Sequence, residues 1–274
     1  MEFVAGTHFY YVVTLYKRKV EIMKKRSVFL LLFIFLLSGC RQEIVSDKVN
    51  EITPLSPAQE PVLNSGIYQE DNWRYWIEHN GIMIKSYEGN PEELVIPDML
   101  DGKNVVAIRD TAFYQKTDMK RVVLPSKLQF IGDNAFYRCY TLEFIDIPDS
   151  VEEIGSNPFF RCSSLKKISV SENNLFFSDQ DGVLYNKEGT KLLVYPEGRE
   201  EEIFVIPDTV TAIDSDAFGY CPKCKIFQIP SEVIDFPREG LTAYDDEIEL
   251  LVMPGSAAEA YAIEKKIAYR LLDV

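Results

Sequence analysis

The chain has 274 residues, 46% hydrophobic and 26% charged, a balance that excludes wholesale disorder, collagen-like structure and a polytopic membrane protein. Its net charge of −14 argues against nucleic acid as a partner, because phosphate binding needs a basic surface. Only His8 and His79 are present, too little material for a His-based zinc site or a His-dependent triad, so composition points away from an enzyme.

The first element is a targeting segment. Lys24, Lys25 and Arg26 precede ten apolar residues, 28–37. Ten helical residues span about 15 Å, roughly half a bilayer core, which is the length of a signal-peptide apolar region and not of a membrane span. The run ends in Leu37-Ser38-Gly39-Cys40. This resembles a bacterial lipobox, which implies cleavage before Cys40 and lipid attachment to its thiol. An ordinary signal peptide with an incidental cysteine is the alternative. Met23 opens a complete signal peptide by itself and is read as the true start, the alternative being a long amphipathic lead over residues 1–22.

Removing residues 1–39 takes away six basic residues (Lys17, Arg18, Lys19, Lys24, Lys25, Arg26) and two acidic ones (Glu2, Glu21), which deepens the net charge to −18. An acidic body is repelled by an anionic membrane surface and needs a spacer. Residues 41–66 fit that role: they hold no aromatic residue, three prolines and mostly polar neighbours.

The body repeats. Ala112-Phe113, Ala135-Phe136 and Pro158-Phe159 recur at a period of 23, and Ala217-Phe218 follows 59 residues on, which is 23 plus 36. One interval therefore carries 13 extra residues, and the spacing from Ser171 to Pro207 gives the same figure. The pattern Ile-Gly-x-x-Ala-Phe-x-x-Cys-x-x-Leu-x-x-Ile-x-Ile-Pro, at residues 131–148, resembles the BspA-like leucine-rich repeat family of bacterial surface antigens over residues 68–274. The resemblance implies a right-handed, mainly β solenoid with short turns and 3-10 segments, and a role in adhesion to host matrix or other cells.

The residues support that architecture independently. A coil of this length cannot bury its own apolar face, whereas stacked coils bury a continuous one. Strand alternation turns Leu142, Ile145 and Ile147 inward and Glu143, Phe144 and Asp146 outward. Phe113, Phe136, Phe159 and Phe218 should line up as an aromatic spine. Two hairpins are expected, one around 79–81 as an N-terminal cap within residues 67–105, and one turning at 186–189 within an insertion at 173–202. The repeats occupy 106–254, with Gly240-Leu241 replacing Ala-Phe in a degenerate last coil. Ser256 and Glu259 form a capping box that opens a helix to Lys266, part of a C-terminal cap over 255–274 with a last strand at 267–272.

Chemistry-bearing motifs are absorbed by the repeat. Cys139, Cys162 and Cys221 each follow the spine phenylalanine by three residues and read as a ladder of buried thiols, with a Cys139–Cys162 disulfide as the alternative. Cys221 and Cys224 form a C-x-x-C, but both occupy repeat positions, and no second pair supports zinc. Asp179-Gln180-Asp181-Gly182 reads as a hairpin turn rather than a calcium loop. Residues 199–202 and 245–247 read as solvated charge runs. No metal or other cofactor is implied.

The exposed strand positions form the candidate binding surface: Lys120, Arg121, Phe144, Lys166, Lys167, Lys225 and Ile226. They collect five basic residues in two columns beside two apolar side chains, interrupted by Glu143. The expected function is a lipid-anchored, extracytoplasmic binding protein at the bacterial membrane or outer surface, taking a protein or glycan ligand that includes host extracellular matrix among its candidates. The alternative is a structural or assembly component of the cell envelope.

Overall fold

The computed structural model describes residues 66–78, 80–215, 217–242 and 248–273, all within one compact unit, Pro61–Val274. The signal region, Cys40, nearly all of the tether, His79 and the charge run at 245–247 lie outside the described residues.

The described chain enters through an antiparallel cap of β1 (Tyr68–Glu70), β2 (Trp73–Glu78) and β3 (Gly81–Tyr87). The coils follow. β4 (Glu93–Val95), β5 (Met99–Leu100) and β6 (Lys103–Ile108) make the first, β7 (Arg121–Val123) and β8 (Phe130–Ile131) the second, and β9 (Phe144–Ile147) and β10 (Glu153–Ile154) the third. β11 (Lys167–Val170) closes this half. The cap is continuous with the first coil, because β3 pairs in parallel with β6.

Each coil gives one strand to each of two parallel sheets. Leu94, Val122, Ile145 and Ile168 are in register across β4, β7, β9 and β11. Ile108, Ile131 and Ile154 are in register across β6, β8 and β10. β9 alternates as expected, with Phe144 and Asp146 exposed and Ile145 and Ile147 buried. Successive turns with i to i−3 bonds carry the chain between the sheets: Cys139 N–H donates to Phe136 O at 3.2 Å and Leu142 N–H to Cys139 O at 3.1 Å. Two residues per coil take left-handed backbone angles there, Thr111 and Gln115, Asn134 and Arg138, Asn157 and Arg161. The asparagines tolerate this conformation better than most residues.

The insertion differs from the expected two-stranded hairpin. β12 (Phe177–Gln180), β13 (Val183–Asn186) and β14 (Lys191–Val194) form a three-stranded antiparallel ribbon. Asp181 and Gly182, with φ of 52° and 80°, make the two-residue turn between β12 and β13. Positive φ at both positions is what a tight hairpin requires, and glycine supplies the second without strain. Beyond the ribbon lie β15 (Ile203–Val205), β16 (Ala212–Ile213), β17 (Ile226–Ile229) and β18 (Glu249–Val252). β16 pairs with β14, while β15, β17 and β18 share a parallel sheet with the terminal β19 (Ala268–Leu271). The single described helix, α1 (Ala257–Lys265), is capped by Ser256, whose Oγ accepts from Glu259 N–H at 3.2 Å. The Glu259 carboxylate reaches one residue further back than a capping box does, to Gly255 N–H at 2.6 Å. Among the described residues no helix is long and apolar enough to cross a membrane.

Candidate interaction surface

The spine positions show how the surface is divided. Trp73 of the cap packs edge-on to Phe113 at 6.4 Å, Phe113 stacks on Phe136 at 5.1 Å, and Phe136 on Phe159 at 5.6 Å. The next spine residue is Tyr195, whose ring lies 5.7 Å from Phe218. Backbone bonding confirms the equivalence: Phe113 N–H donates to Ala135 O, Phe136 N–H to Pro158 O, and Tyr195 N–H to Ala217 O. The spine therefore runs 113, 136, 159, 195, 218, with the long interval before Tyr195. Phe218 belongs to a second buried cluster that begins in the ribbon with Val183 and Tyr185, while Phe113, Phe136 and Phe159 belong to the first.

Three side chains bridge the break. Asn174 falls in the buried column Leu128, Val151, Asn174, Val210, Val233, where its neighbours are all aliphatic. Its Nδ2 donates to Pro148 O and Val151 O at 2.8 and 2.9 Å, and its Oδ1 accepts from Phe176 and Phe177 N–H, both at 2.8 Å. Every polar valence of this fully buried amide is used, and it launches the ribbon.

Glu197 lies two residues after Tyr195, at the position held by Gln115, Arg138 and Arg161 in earlier coils. In those coils the backbone bonds directly to the next turn: Gln115 N–H donates to Tyr137 O and Arg138 N–H to Phe160 O, both at 2.9 Å. At the break the carboxylate replaces the missing carbonyl. Its Oε1 accepts from Arg161 N–H on one side and Tyr220 N–H on the other, both at 2.9 Å, while Oε2 is buried without a hydrogen-bond partner. Burial pushes the Glu197 carboxyl up to about 7, against the opposing pull of the two amides and the Arg161 charge. Next to it, Gly198 takes the cysteine position of the repeat because the turn runs hard against the third coil: a Cβ there would lie 2.3 Å from the carbonyl carbon of Ser164.

Arg199 corrects the expectation of a solvated charge run. Its side chain is only 13% exposed. The guanidinium holds the ribbon turn through Asp181 O and Asp181 Oδ2 (2.9 Å to the latter), pairs with Glu201, and lies over the Tyr195 ring.

The exposed face of β4, β7, β9 and β11 carries most of the sequence-predicted binding residues. Lys120, Arg121, Phe144, Lys166 and Lys167 all project from it. The column just before the strands reads Glu92, Lys120, Glu143, Lys166 and is linked coil to coil, Lys120 N–H to Glu92 O, Glu143 N–H to Lys120 O and Lys166 N–H to Glu143 O. It alternates in sign. The next column reads Glu93, Arg121, Phe144, Lys167. Lys120 pairs with Glu92 at 3.4 Å and Arg121 with Glu93 at 3.8 Å. The first column is thus a charge-alternating ladder, and in the second Phe144 stands 47% exposed between Arg121 and Lys167. Lys225 and Ile226 lie in the other parallel sheet, that of β15, β17, β18 and β19, because the ribbon interrupts the strand stack. The acidic partners come from β4, one coil before the repeats from which the sequence columns are read.

The cysteines are structural. Cys139 Sγ donates to Phe113 O and Cys162 Sγ to Phe136 O, both at 3.1 Å. Cys221 bonds instead to Phe218 O of its own turn at 2.7 Å. All four described cysteines are free and buried, and burial pushes the thiols of Cys162, Cys221 and Cys224 up, away from the reactive thiolate. Among the described residues no cluster of His, Cys, Asp or Glu could hold a metal ion.

Stacked parallel coils with an aromatic spine and a repeated strand define a leucine-rich repeat solenoid, a scaffold that presents extended surfaces for binding. The chain belongs to the BspA-type leucine-rich repeat region family, whose model matches six copies over residues 87–188 and 199–248. The unmatched stretch between them, 189–198, contains Tyr195 and Glu197. Among solved structures, a leucine-rich cell surface protein from Faecalibacterium prausnitzii is 19% identical, with a TM-score of 0.38 over 68% of this chain and 76% of that one. The pneumococcal vaccine antigen PcpA is 19% identical, with a TM-score of 0.42 over 68% and 70%. A leucine-rich repeat protein from T. pallidum is 20% identical, with a TM-score of 0.44 over 76% and 98%. No curated protein shows significant similarity to the chain.

Proposed function

We propose that the protein is a lipid-anchored, extracytoplasmic interaction module that docks a protein partner on the exposed face of β4, β7, β9 and β11. The observation that carries this reading is Phe144, an aromatic side chain left exposed at the middle of a regular sheet, between Arg121 and Lys167 of the neighbouring strands. An exposed aromatic ringed by charge is the composition of an interface anchor with a polar rim. Val95, 59% exposed on β4, extends the apolar area. The alternating charges favour a partner with complementary alternation and set its register more than its affinity. The basic cluster, short apolar run and Cys40 support the anchor, and the polar tether supports display away from the membrane.

Two experiments test the two parts. Cys40→Ala should abolish incorporation of labelled fatty acid and release the protein from the membrane fraction; unchanged retention would replace the lipid with an uncleaved N-terminal segment. A photo-crosslinking residue at position 144, in intact cells, should give a discrete adduct that a probe at Ile234, 74% exposed in the other half, does not. Adducts at 234 and none at 144 would move the docking face.

A further inference from the structure

We propose that the turn edge of the first three coils is a second binding surface, a ridge of Tyr114, Tyr137 and Phe160 with Arg138 and Arg161 that takes an anionic glycan. This goes beyond docking on the strand face and stands on different residues. Tyr114, Tyr137 and Phe160 each follow a spine phenylalanine by one residue, so the same repeat that builds the buried spine builds a parallel outer stack. Tyr114 and Tyr137 lie 5.4 Å apart, and Tyr137 and Phe160 5.7 Å apart with their planes within 7°. Tyr114 is 42% exposed. The stack ends where Pro196 and Gly219 occupy the equivalent places.

The second and third coils make this edge basic, while the first coil adds Asp118 and the junction adds the buried Glu197 beside Arg161. Residues 134–142 and 155–171 contain no Asp or Glu, in a protein of net −14. Arg138 lies over the Tyr137 ring at 5.0 Å, with Nη1 3.3 Å from the Tyr114 hydroxyl. Arg161 lies between the Phe160 and Tyr220 rings, at 5.9 and 5.7 Å. Guanidinium groups held on ring faces keep their planar fork pre-organised for sulfate or carboxylate. The third cation nearby, Lys116, is committed to Tyr87 O and Gly89 O at 2.7 and 2.8 Å.

Two features favour a glycan over an acidic peptide. First, the ridge offers no free backbone edge for strand addition, because Gln115, Arg138 and Arg161 N–H groups are spent between coils. Second, the rings repeat at 5.4 and 5.7 Å, whereas an extended peptide advances about 3.3 Å per residue and drifts out of step. A chain of pyranose rings advances by roughly one ring per coil, with hydroxyls for the tyrosine hydroxyls and anionic groups for the arginines.

Heparin oligosaccharides are the probe, titrated into the purified protein by calorimetry at low salt. Arg138→Gln with Arg161→Gln should weaken binding at least about tenfold. Gln115 already occupies the equivalent left-handed position at φ 56°, so glutamine fits there. Desulfated heparin should bind more weakly than heparin, and Phe144→Ser on the strand face should leave heparin affinity unchanged. Absence of heparin binding, equal affinity of the double variant and the parent, or poly-glutamate binding as tightly with the same arginine dependence would each overturn the proposal. The single Arg138→Gln variant provides the same reading should the pair alter folding. A loss on Phe144→Ser alone would instead assign the glycan to the strand face.

Discussion

The two halves of the solenoid close their coils by different means. In the first half, from the cap to β11, the repeat copies itself. Backbone N–H groups of one coil bond to carbonyls of the next at every equivalent position, and phenylalanines stack on phenylalanines at 5.1 and 5.6 Å. At the junction to the second half the backbone is out of phase by the ribbon. Individual side chains then do what repetition did: Asn174 replaces an aliphatic residue, Glu197 replaces a carbonyl, Tyr195 replaces a phenylalanine, and Arg199 ties the ribbon back. A solenoid tolerates an insertion when each donor that the insertion orphans finds a named acceptor, since an unpaired buried N–H costs about as much as a substantial mutation.

The largest expected effect breaks the regular half. Phe136→Ala removes a fully buried ring that touches both neighbouring spine residues and should cost about 3–5 kcal/mol in denaturant unfolding. A loss under about 1 kcal/mol would mean that the spine is not the core of this half.

The junction should be exposed by pH. Glu197, with an ordinary value of 4.5, is raised to about 7 in the folded chain. Below 4.5 it is protonated in both states and adds no pH dependence. Between 4.5 and 7 the folded chain keeps a proton that the unfolded chain releases, so its contribution falls as pH rises. By pH 8 the deficit is about 3 kcal/mol. The groups that face it are Arg161, Cys162 and Cys221. Glu197→Gln keeps an oxygen for the Arg161 and Tyr220 amides, so it should raise stability at pH 8, leave pH 4 nearly unchanged and flatten the profile between. A parallel profile for variant and parent would remove Glu197 as its source.

Asn174→Val restores the aliphatic column of the regular half and leaves the Phe176 and Phe177 amides without their acceptor. It should cost about 2 kcal/mol, because buried donors left without an acceptor lose their solvation with nothing in return. Hydrogen exchange of the Phe176 and Phe177 amides should rise with it, and unchanged protection would show that the ribbon is launched by other contacts. The smallest effect belongs to the charge ladder. Arg121→Glu exchanges an exposed pair with Glu93 for a repulsion and should change stability by less than about 1 kcal/mol. A larger loss would make the ladder part of the fold and not a face left open for a partner.

Much of the first half was legible in the sequence because its period is unbroken. The spine at 113, 136 and 159, the outward Phe144 and the cysteine ladder all follow from counting by 23 together with strand alternation. The second strand of each coil was not read out, since two residues such as Phe130-Ile131 are too few to show alternation. Tyr195 was within reach: adding 36 to Phe159 lands on it, and Phe204 and Ile206-Pro207 then fall into the strand pattern. Its signal is weak because Val194-Tyr195 fills the Ala-Phe position with neither residue of the motif. Arg199 and Glu197 left no comparable signal, because acidic and basic residues in a loop read as solvated until their neighbours are known.

The sequence by itself determined the coil. Apolar spacing, the proline stops and the phenylalanine period are local properties, and stacking is the one way such a coil can cover its apolar face. Only the tertiary structure decided which polar groups would be buried and what the exposed columns would be. The sign of a surface column depends on which coils lie side by side, so Glu92 and Glu93 neutralise Lys120 and Arg121 across 28 residues of sequence. The state of Glu197 likewise depends on two amides, from Arg161 and Tyr220, that lie 36 residues before it and 23 after it and meet at one oxygen.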